Sequence, residues 1–277
     1  MFDINSSCAS IGRIDSVSLT SMSDLVGLAG LFFAGIVAGA INSVAGGGTL
    51  VSFPSLVAFG EPEIVSNATN TAALWPGSLS SALGYRKDTF VERALFITLA
   101  IPSLIGGLLG AVVLVNTPAE TFRRIVPFLV LFATLVLATR DVVTRRFLKT
   151  NLSGRVTTAG RIWGASFQLF VATYGGYFGA GIGILMLGSF SLMGMRDIHR
   201  MNALKTPLTA IINVTAFVFF AFRGLVAWSL AVLIAAGAIL GGYGGARLAK
   251  HVDPRLVQYV VVAIGLLMTG WFFVRLF

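Results

Sequence analysis

Polar and apolar positions along the chain fall into long blocks. Leu25–Gly60 runs for 36 residues without an ionisable side chain, and Ile162–Met195 runs for 34. Ile64–Tyr85, Ala94–Val115, Thr206–Phe222, Gly224–Ala246 and Leu256–Val274 are further charge-free runs. A helix needs ~20 predominantly apolar residues to cross a bilayer, so these blocks predict membrane-spanning helices. The two longest runs carry glycine near their middles: Gly46-Gly47-Gly48 in the first, and Gly179, Gly181 and Gly183 in the second. Two full crossings joined by a turn need ~40 residues or more. Each of these runs therefore predicts a hairpin of two short or partial helices, broken at glycine. Ordinary crossings follow at 64–85, 94–115 and 121–139, and again at 203–222, 226–246 and 256–274.

Composition sharpens this picture. Of 277 residues, 56% are hydrophobic and 11% are charged, with a mean hydropathy of +0.88. About a quarter of the residues of a soluble domain are charged, and disorder requires low hydrophobicity with high charge. Both classes are excluded. The net charge of +9 does not imply a nucleic-acid partner. The Lys and Arg residues lie in short loops rather than on one soluble face, where they set membrane orientation. The lone Cys8 forms no intrachain disulfide. Residues 1–23 are polar and serine-rich, with no apolar run behind a basic start, which predicts a flexible tail rather than a cleaved signal peptide.

The two halves echo each other. Gly106-Gly107-Leu108-Leu109-Gly110-Ala111 returns 135 residues later as Gly241-Gly242-Tyr243-Gly244-Gly245-Ala246. A short polar turn with Pro118 or Pro254 and a last apolar helix follow each block. Asn70 finds a counterpart in Asn202. A repeat of this size predicts a duplicated half-transporter. Residues 24–139 form the first transmembrane repeat, 140–161 a basic cytoplasmic linker with six Lys or Arg, and 162–277 the second repeat. The expected fold is an all-α integral membrane bundle, each repeat a Gly-broken hairpin plus three transmembrane helices. If each hairpin enters and leaves on one side, 15 Lys or Arg lie with the linker and 5 lie opposite. If each hairpin crosses once, the split is 12 against 8. The positive-inside rule prefers the first arrangement. The halves are then inverted, both termini lie outside, and the two glycine tips meet near the midplane.

A broken helix at that depth offers unpaired N–H groups and a positive dipole end, which favour an anion. Gly46, Gly47, Gly48 and Thr49 form one candidate tip, and Gly179, Gly181 and Gly183 the other. Asn42 lies four residues before the first tip. Asn67, Thr69, Asn70 and Thr71 open the crossing after it, and Asn202 and Lys205 open the counterpart. Asparagine amides donate hydrogen bonds to an oxyanion. The alternatives are helix packing for the glycines, helix capping or interhelical bonding for Asn67 and Asn70, and interfacial snorkelling for Lys205. His199 is a candidate for carrying a coupling proton, or a solvated loop histidine. No Asp or Glu falls inside a charge-free run, which suits an anionic substrate. No metal and no cofactor is expected. No Gly-x-Ser-x-Gly elbow or His-Glu-x-x-His motif is present, so the chain reads as a non-enzyme. An anion exporter and a passive anion channel on the same scaffold both remain open, with an intramembrane enzyme using Ser78 or Ser80 near Gly77 as a less favoured third; a small anion and the lipid bilayer are the partners.

The run Gly39-Ala40-Ile41-Asn42-Ser43-Val44-Ala45-Gly46-Gly47-Gly48-Thr49-Leu50, then Pro54, then Ala68-Thr69-Asn70-Thr71, resembles the TauE/SafE family of membrane transporters. The second half echoes it in Gly179-Ala180-Gly181-Ile182-Gly183 and Asn202-Ala203-Leu204-Lys205. The resemblance covers nearly the whole chain after residue 24. It implies a duplicated bundle in a bacterial cytoplasmic (inner) membrane. It also implies export of a small sulfur-containing anion, such as sulfite or an organosulfonate like sulfoacetate.

Overall fold

The computed structural model describes residues 22–44, 46–84, 93–139, 158–193, 195, 197–248 and 254–276. Among these it is entirely helical: α1 (Met22–Val44), α2 (Thr49–Phe59), α3 (Glu63–Gly84), α4 (Arg93–Asn116), α5 (Ala119–Ala138), α6 (Thr158–Tyr177), α7 (Ile182–Leu192), α8 (Ile198–Phe222), α9 (Trp228–Leu248) and α10 (Pro254–Leu276). Six of them, α1, α4, α5, α8, α9 and α10, contain stretches long and apolar enough to cross a membrane. Large apolar side chains such as Ile101, Leu104, Phe128, Val232 and Leu267 are exposed. That is the surface a lipid-facing bundle requires, because lipid is as apolar as the side chains it meets.

The two breaks fall at glycine, but the hairpin arms are unequal. The expectation of two short arms is corrected: α1 has 23 residues and α6 has 20, while α2 and α7 have 11 each. Helix geometry carries the long arms beyond the charge-free runs. α1 starts at Met22, and α6 starts at Thr158, inside the predicted 140–161 linker and upstream of Arg161. At ~1.5 Å per residue α2 spans about 16 Å, roughly half of a ~30 Å hydrocarbon core. The long arms end in the same way. Gly46 (φ 80°) donates its N–H to the Ile41 carbonyl at 3.0 Å, and Gly179 (φ 82°) donates to Tyr174 at 3.3 Å. The left-handed φ at each glycine then turns the chain out of the helix, a conformation glycine adopts without steric cost.

Helices of the two halves pair reciprocally. α1 packs on α9 and α6 on α4. α3 also meets α9, and α8 meets α4; α3 meets α8, and α5 meets α10. The tightest contacts are backbone to backbone through small residues. On α1, Gly35 faces Ile234 and Gly39 faces Ala238, while Gly245 faces Ala40, so α1 and α9 run parallel. On α4, Gly106 faces Leu169 and Gly110 faces Thr173, so α4 and α6 also run parallel. Small residues at these positions let helix axes approach closely. By contrast, α5 and α10 run antiparallel. Phe128 meets Phe273 at 5.3 Å, and Gln258 donates to the Leu137 carbonyl at 2.8 Å. α3 and α8 show the same reversal: Trp75 stacks on Phe217 at 6.1 Å, and Thr69 accepts from the Ala227 N–H, beyond the end of α8, at 3.0 Å. Glu63, Arg123 and Arg275 gather where α3 and α5 begin and α10 ends.

A buried aromatic cluster seats the short arms. Phe53 of α2 meets Phe178 of the second tip edge-on at 5.3 Å and stacks on Phe272 of α10 at 5.7 Å. All three are buried.

Candidate functional site

The two tips approach each other. A Cβ built on Gly46 would lie 3.6 Å from the Gly183 Cα and 3.9 Å from Lys205 Nζ. Each tip is braced from its own long arm. Asn42 Oδ1 accepts the Gly48 N–H at 2.9 Å, and the Tyr174 hydroxyl donates to the Ala180 carbonyl at 2.9 Å. A hollow lies at this junction. Its volume is about 40 Å³, on the scale where one water occupies ~10–15 Å³. It therefore admits a few waters or one small oxyanion.

Two stripes line the hollow, one on α3 with Leu74 between two polar residues and one on α8 that is polar throughout. Asn70, Leu74 and Ser78 are spaced by four on α3, and Lys205, Thr209 and Asn213 by four on α8, so each set shares one helix face. The members correspond one to one, 135 residues apart, the offset of the glycine blocks. Thr71 and Thr206 also line the hollow and correspond at that offset. This register refines the sequence pairing of Asn70 with Asn202: Asn202 falls on Asn67, and Lys205 falls on Asn70. The local bonding agrees, because Thr71 donates to the Asn67 carbonyl at 2.9 Å and Thr206 to the Asn202 carbonyl at 2.8 Å.

Of the residues singled out in the sequence, Asn42, Gly46, Thr49, Asn70, Thr71, Gly179, Gly183 and Lys205 line the hollow. Asn70 is buried and ties the first hairpin to α3. It accepts a short hydrogen bond from Ser52 Oγ and donates to Thr49 Oγ1 at 3.4 Å. Gly47, Gly48, Asn67, Thr69, Gly181 and Asn202 lie outside the lining. Gly47 faces Leu137 and Val261, Gly48 presses on the Ala38 carbonyl, and Gly181 faces Ala133. The His199 side chain and residues 1–21 and 140–157 are outside the described residues. Sequence reasoning missed Leu74, Thr209, Asn213, Phe178, Ile182 and Thr206, and weighed Ser78 only as a nucleophile. It also passed over the Ser52 bond to Asn70. A four-residue polar spacing along α8 was the available signal.

Among the described lining residues there is one ammonium, from Lys205, and no carboxylate. Lys205 is buried, 5% exposed, so its side chain is enclosed by protein. Its charge, the Asn70 and Asn213 amides and the first N–H groups of α7 form a donor-rich concavity. Such a site suits a small anion. Gly183 has an ordinary φ, and a Cβ there would lie 3.2 Å from Lys205 Cδ. Gly183→Val is therefore expected to fill the hollow while the bundle still assembles. The check is loss of anion binding, by calorimetry, at unchanged thermal stability.

The family model for sulfite exporter TauE/SafE matches residues 31–272. "Probable membrane transporter protein ORF9" of Sinorhizobium sp. is 30% identical over 244 residues, covering 86% of this chain and 89% of that one. A "Probable membrane transporter protein" of Haemophilus influenzae is 28% identical over 253 residues, covering 88% and 96%. "Probable membrane transporter protein YfcA" of Escherichia coli K12 is 27% identical over 247 residues, covering 87% of each. No solved structure matches the chain significantly.

Proposed function

This chain belongs to the sulfite exporter TauE/SafE family, and on that footing we propose that it is a secondary transporter of a small sulfur-containing oxyanion. Sulfite, or an organosulfonate such as sulfoacetate, is held between the two tips and exported as the bundle rocks around it. The observation that carries this reading is the hollow itself: donor-rich, with a buried ammonium and no carboxylate among the described lining residues, at the meeting point of two helix breaks. The membrane location and the transporter class come from the family, the relatives and the apolar helices. The antiparallel α5–α10 and α3–α8 pairs support an inverted relation between the halves, because helices related by an axis along the membrane normal would run parallel. In this arrangement both termini face outward from a bacterial inner membrane, and the basic linker faces the cytoplasm.

Purified protein in proteoliposomes is expected to take up labelled sulfite along a saturable curve. It should also show counterflow, with sulfate, sulfoacetate and a plain carboxylate as graded competitors. Flux that never saturates, without counterflow, would identify a passive channel. Sealed vesicles that pass none of these anions would end the reading.

A further inference from the structure

We infer that the hollow takes its anion with a proton attached: the carried species is a singly charged oxyanion bearing one O–H group, hydrogen sulfite rather than the sulfite dianion, sulfate or sulfoacetate. The inference rests on the transport reading above and narrows its substrate class.

Four hydroxyl groups that line the hollow are already spent as donors. Thr71 and Thr206 donate to the Asn67 and Asn202 carbonyls at 2.9 and 2.8 Å. Ser78 donates to the Leu74 carbonyl at 3.1 Å, and Thr209 to the Met186 sulfur at 3.7 Å. A hydroxyl has one hydrogen and two lone pairs, so these oxygens offer a guest lone pairs only. Bonding back to the preceding turn is ordinary for Ser and Thr in membrane helices. The unusual feature is that all four oxygens line one small hollow.

The same hollow holds donors: the Lys205 ammonium and the Asn70 and Asn213 amides. In each repeat a donor stands next to an acceptor, Asn70 beside Thr71 and Lys205 beside Thr206. A guest that satisfies both kinds must accept at some of its oxygens and donate at another. Hydrogen sulfite does so in its O–H form. The sulfite dianion has acceptors alone, and near neutral pH so do sulfate and sulfoacetate. Their oxygens would face the threonine lone pairs without a proton between them. The space of about 40 Å³ leaves little room for bridging water beside an anion. A site built to bond a substrate hydroxyl rejects the analogue that lacks it, because its own polar groups are left unpaired. A singly charged guest also gives up less hydration on burial.

The proton then needs no protein carrier. Among the described lining residues Lys205 is the one titratable side chain. Tyr174 of α6 donates to the Ala180 carbonyl, and Tyr243 of α9 is exposed. Charged groups of the helices packed on the hollow, such as Glu63, Arg93, Arg123 and Arg200, stand near helix ends. The proton stays on the anion from one face to the other and passes to bulk water after release. Each cycle moves one proton and one net negative charge.

The experiment uses the full-length protein in proteoliposomes, with protein-free vesicles as the blank because neutral sulfur dioxide crosses lipid unaided. Initial uptake of labelled sulfite is measured from mildly acidic to mildly alkaline pH, equal on both faces, with nitrate as competitor. Nitrate is a small monoanion that carries no proton in this range. Above neutrality the KM in total sulfite is expected to rise about tenfold per pH unit. The KM in hydrogen sulfite and the nitrate inhibition constant should stay flat. Thr71→Val and Thr206→Val keep the shape and remove the lone pairs. Each should raise the hydrogen sulfite KM about tenfold and leave nitrate inhibition unchanged. If the valine variants do not fold, the wild-type profiles decide alone. A KM in total sulfite that is flat or falls as pH rises overturns the inference: the dianion is then carried, and the transport reading stands. Nitrate inhibition that weakens in step with sulfite also overturns it, because a protein group is then titrating. If no sulfur oxyanion is transported at any pH, the transport reading falls instead. Calorimetric binding of sulfite and nitrate in detergent at the same pH values then decides whether the hollow prefers the protonated anion.

Discussion

Lys205→Met is expected to abolish measurable sulfite uptake at low substrate concentration. Lys205 supplies the ammonium in the lining of the hollow, and it is buried there. Removing one charge-assisted hydrogen bond costs ~1.5–3 kcal/mol, which weakens binding by about 10- to 150-fold. Methionine keeps the length and apolar stem, so packing against Gly183 survives. Lys205→Arg keeps the charge but brings a wider, planar head into a hollow of about 40 Å³, and an intermediate loss is expected. The measurement is the sulfite KM in proteoliposomes at matched protein density. A KM unchanged in Lys205→Met would show that the ammonium serves the fold and not the anion.

Gly241→Val is expected to prevent the bundle from assembling. A Cβ at Gly241 falls on the Ile36 carbonyl of α1, and neighbouring Gly237 presses equally on the Phe32 carbonyl. Both partners are helical backbone, which does not yield as a flexible side chain does. Between helices in lipid there is no hydrophobic force to compensate, so lost packing is lost association. Overpacking a tight core costs ~1–3 kcal/mol, and backbone against backbone belongs at the upper end. Gly244→Val is the matched control, because nothing lies within 4 Å of a Cβ there. Size-exclusion profiles and thermal unfolding of the two variants in detergent compare them directly. A folded, monodisperse Gly241→Val protein would contradict the α1–α9 contact described above.

Much of the fold was legible because bilayer thickness imposes one length scale on apolar runs. The crossings predicted at 94–115 and 121–139 match α4 and α5 within a few residues. The arm lengths were not legible, because charge-free runs end at the first ionisable residue whereas helices continue past it, as α6 does through Arg161. Site residues divided by a different rule. Asn70, Lys205, Gly46, Gly179 and Gly183, which line the hollow, were legible because they are unusual in an apolar setting. Thr209 and Asn213 were passed over because single hydroxyls and amides in a membrane helix commonly bond within it, as Thr215 does to the Ile211 carbonyl. Asn67 was singled out, and bonding to a neighbouring helix was one of its readings; its Nδ2 donates to the Tyr177 carbonyl of α6.

The crossed pairing of α1 with α9 and α6 with α4 has a further consequence. Each half lends its longest hairpin arm to a glycine-lined groove of the other, like two hands clasped at the fingers. Neither half is a domain in its own right, because each alone would leave a groove bare and an arm without a seat. Severing the connection between them would yield fragments that still need one another, and the rigid bodies of any rocking motion must be drawn from both halves of the chain.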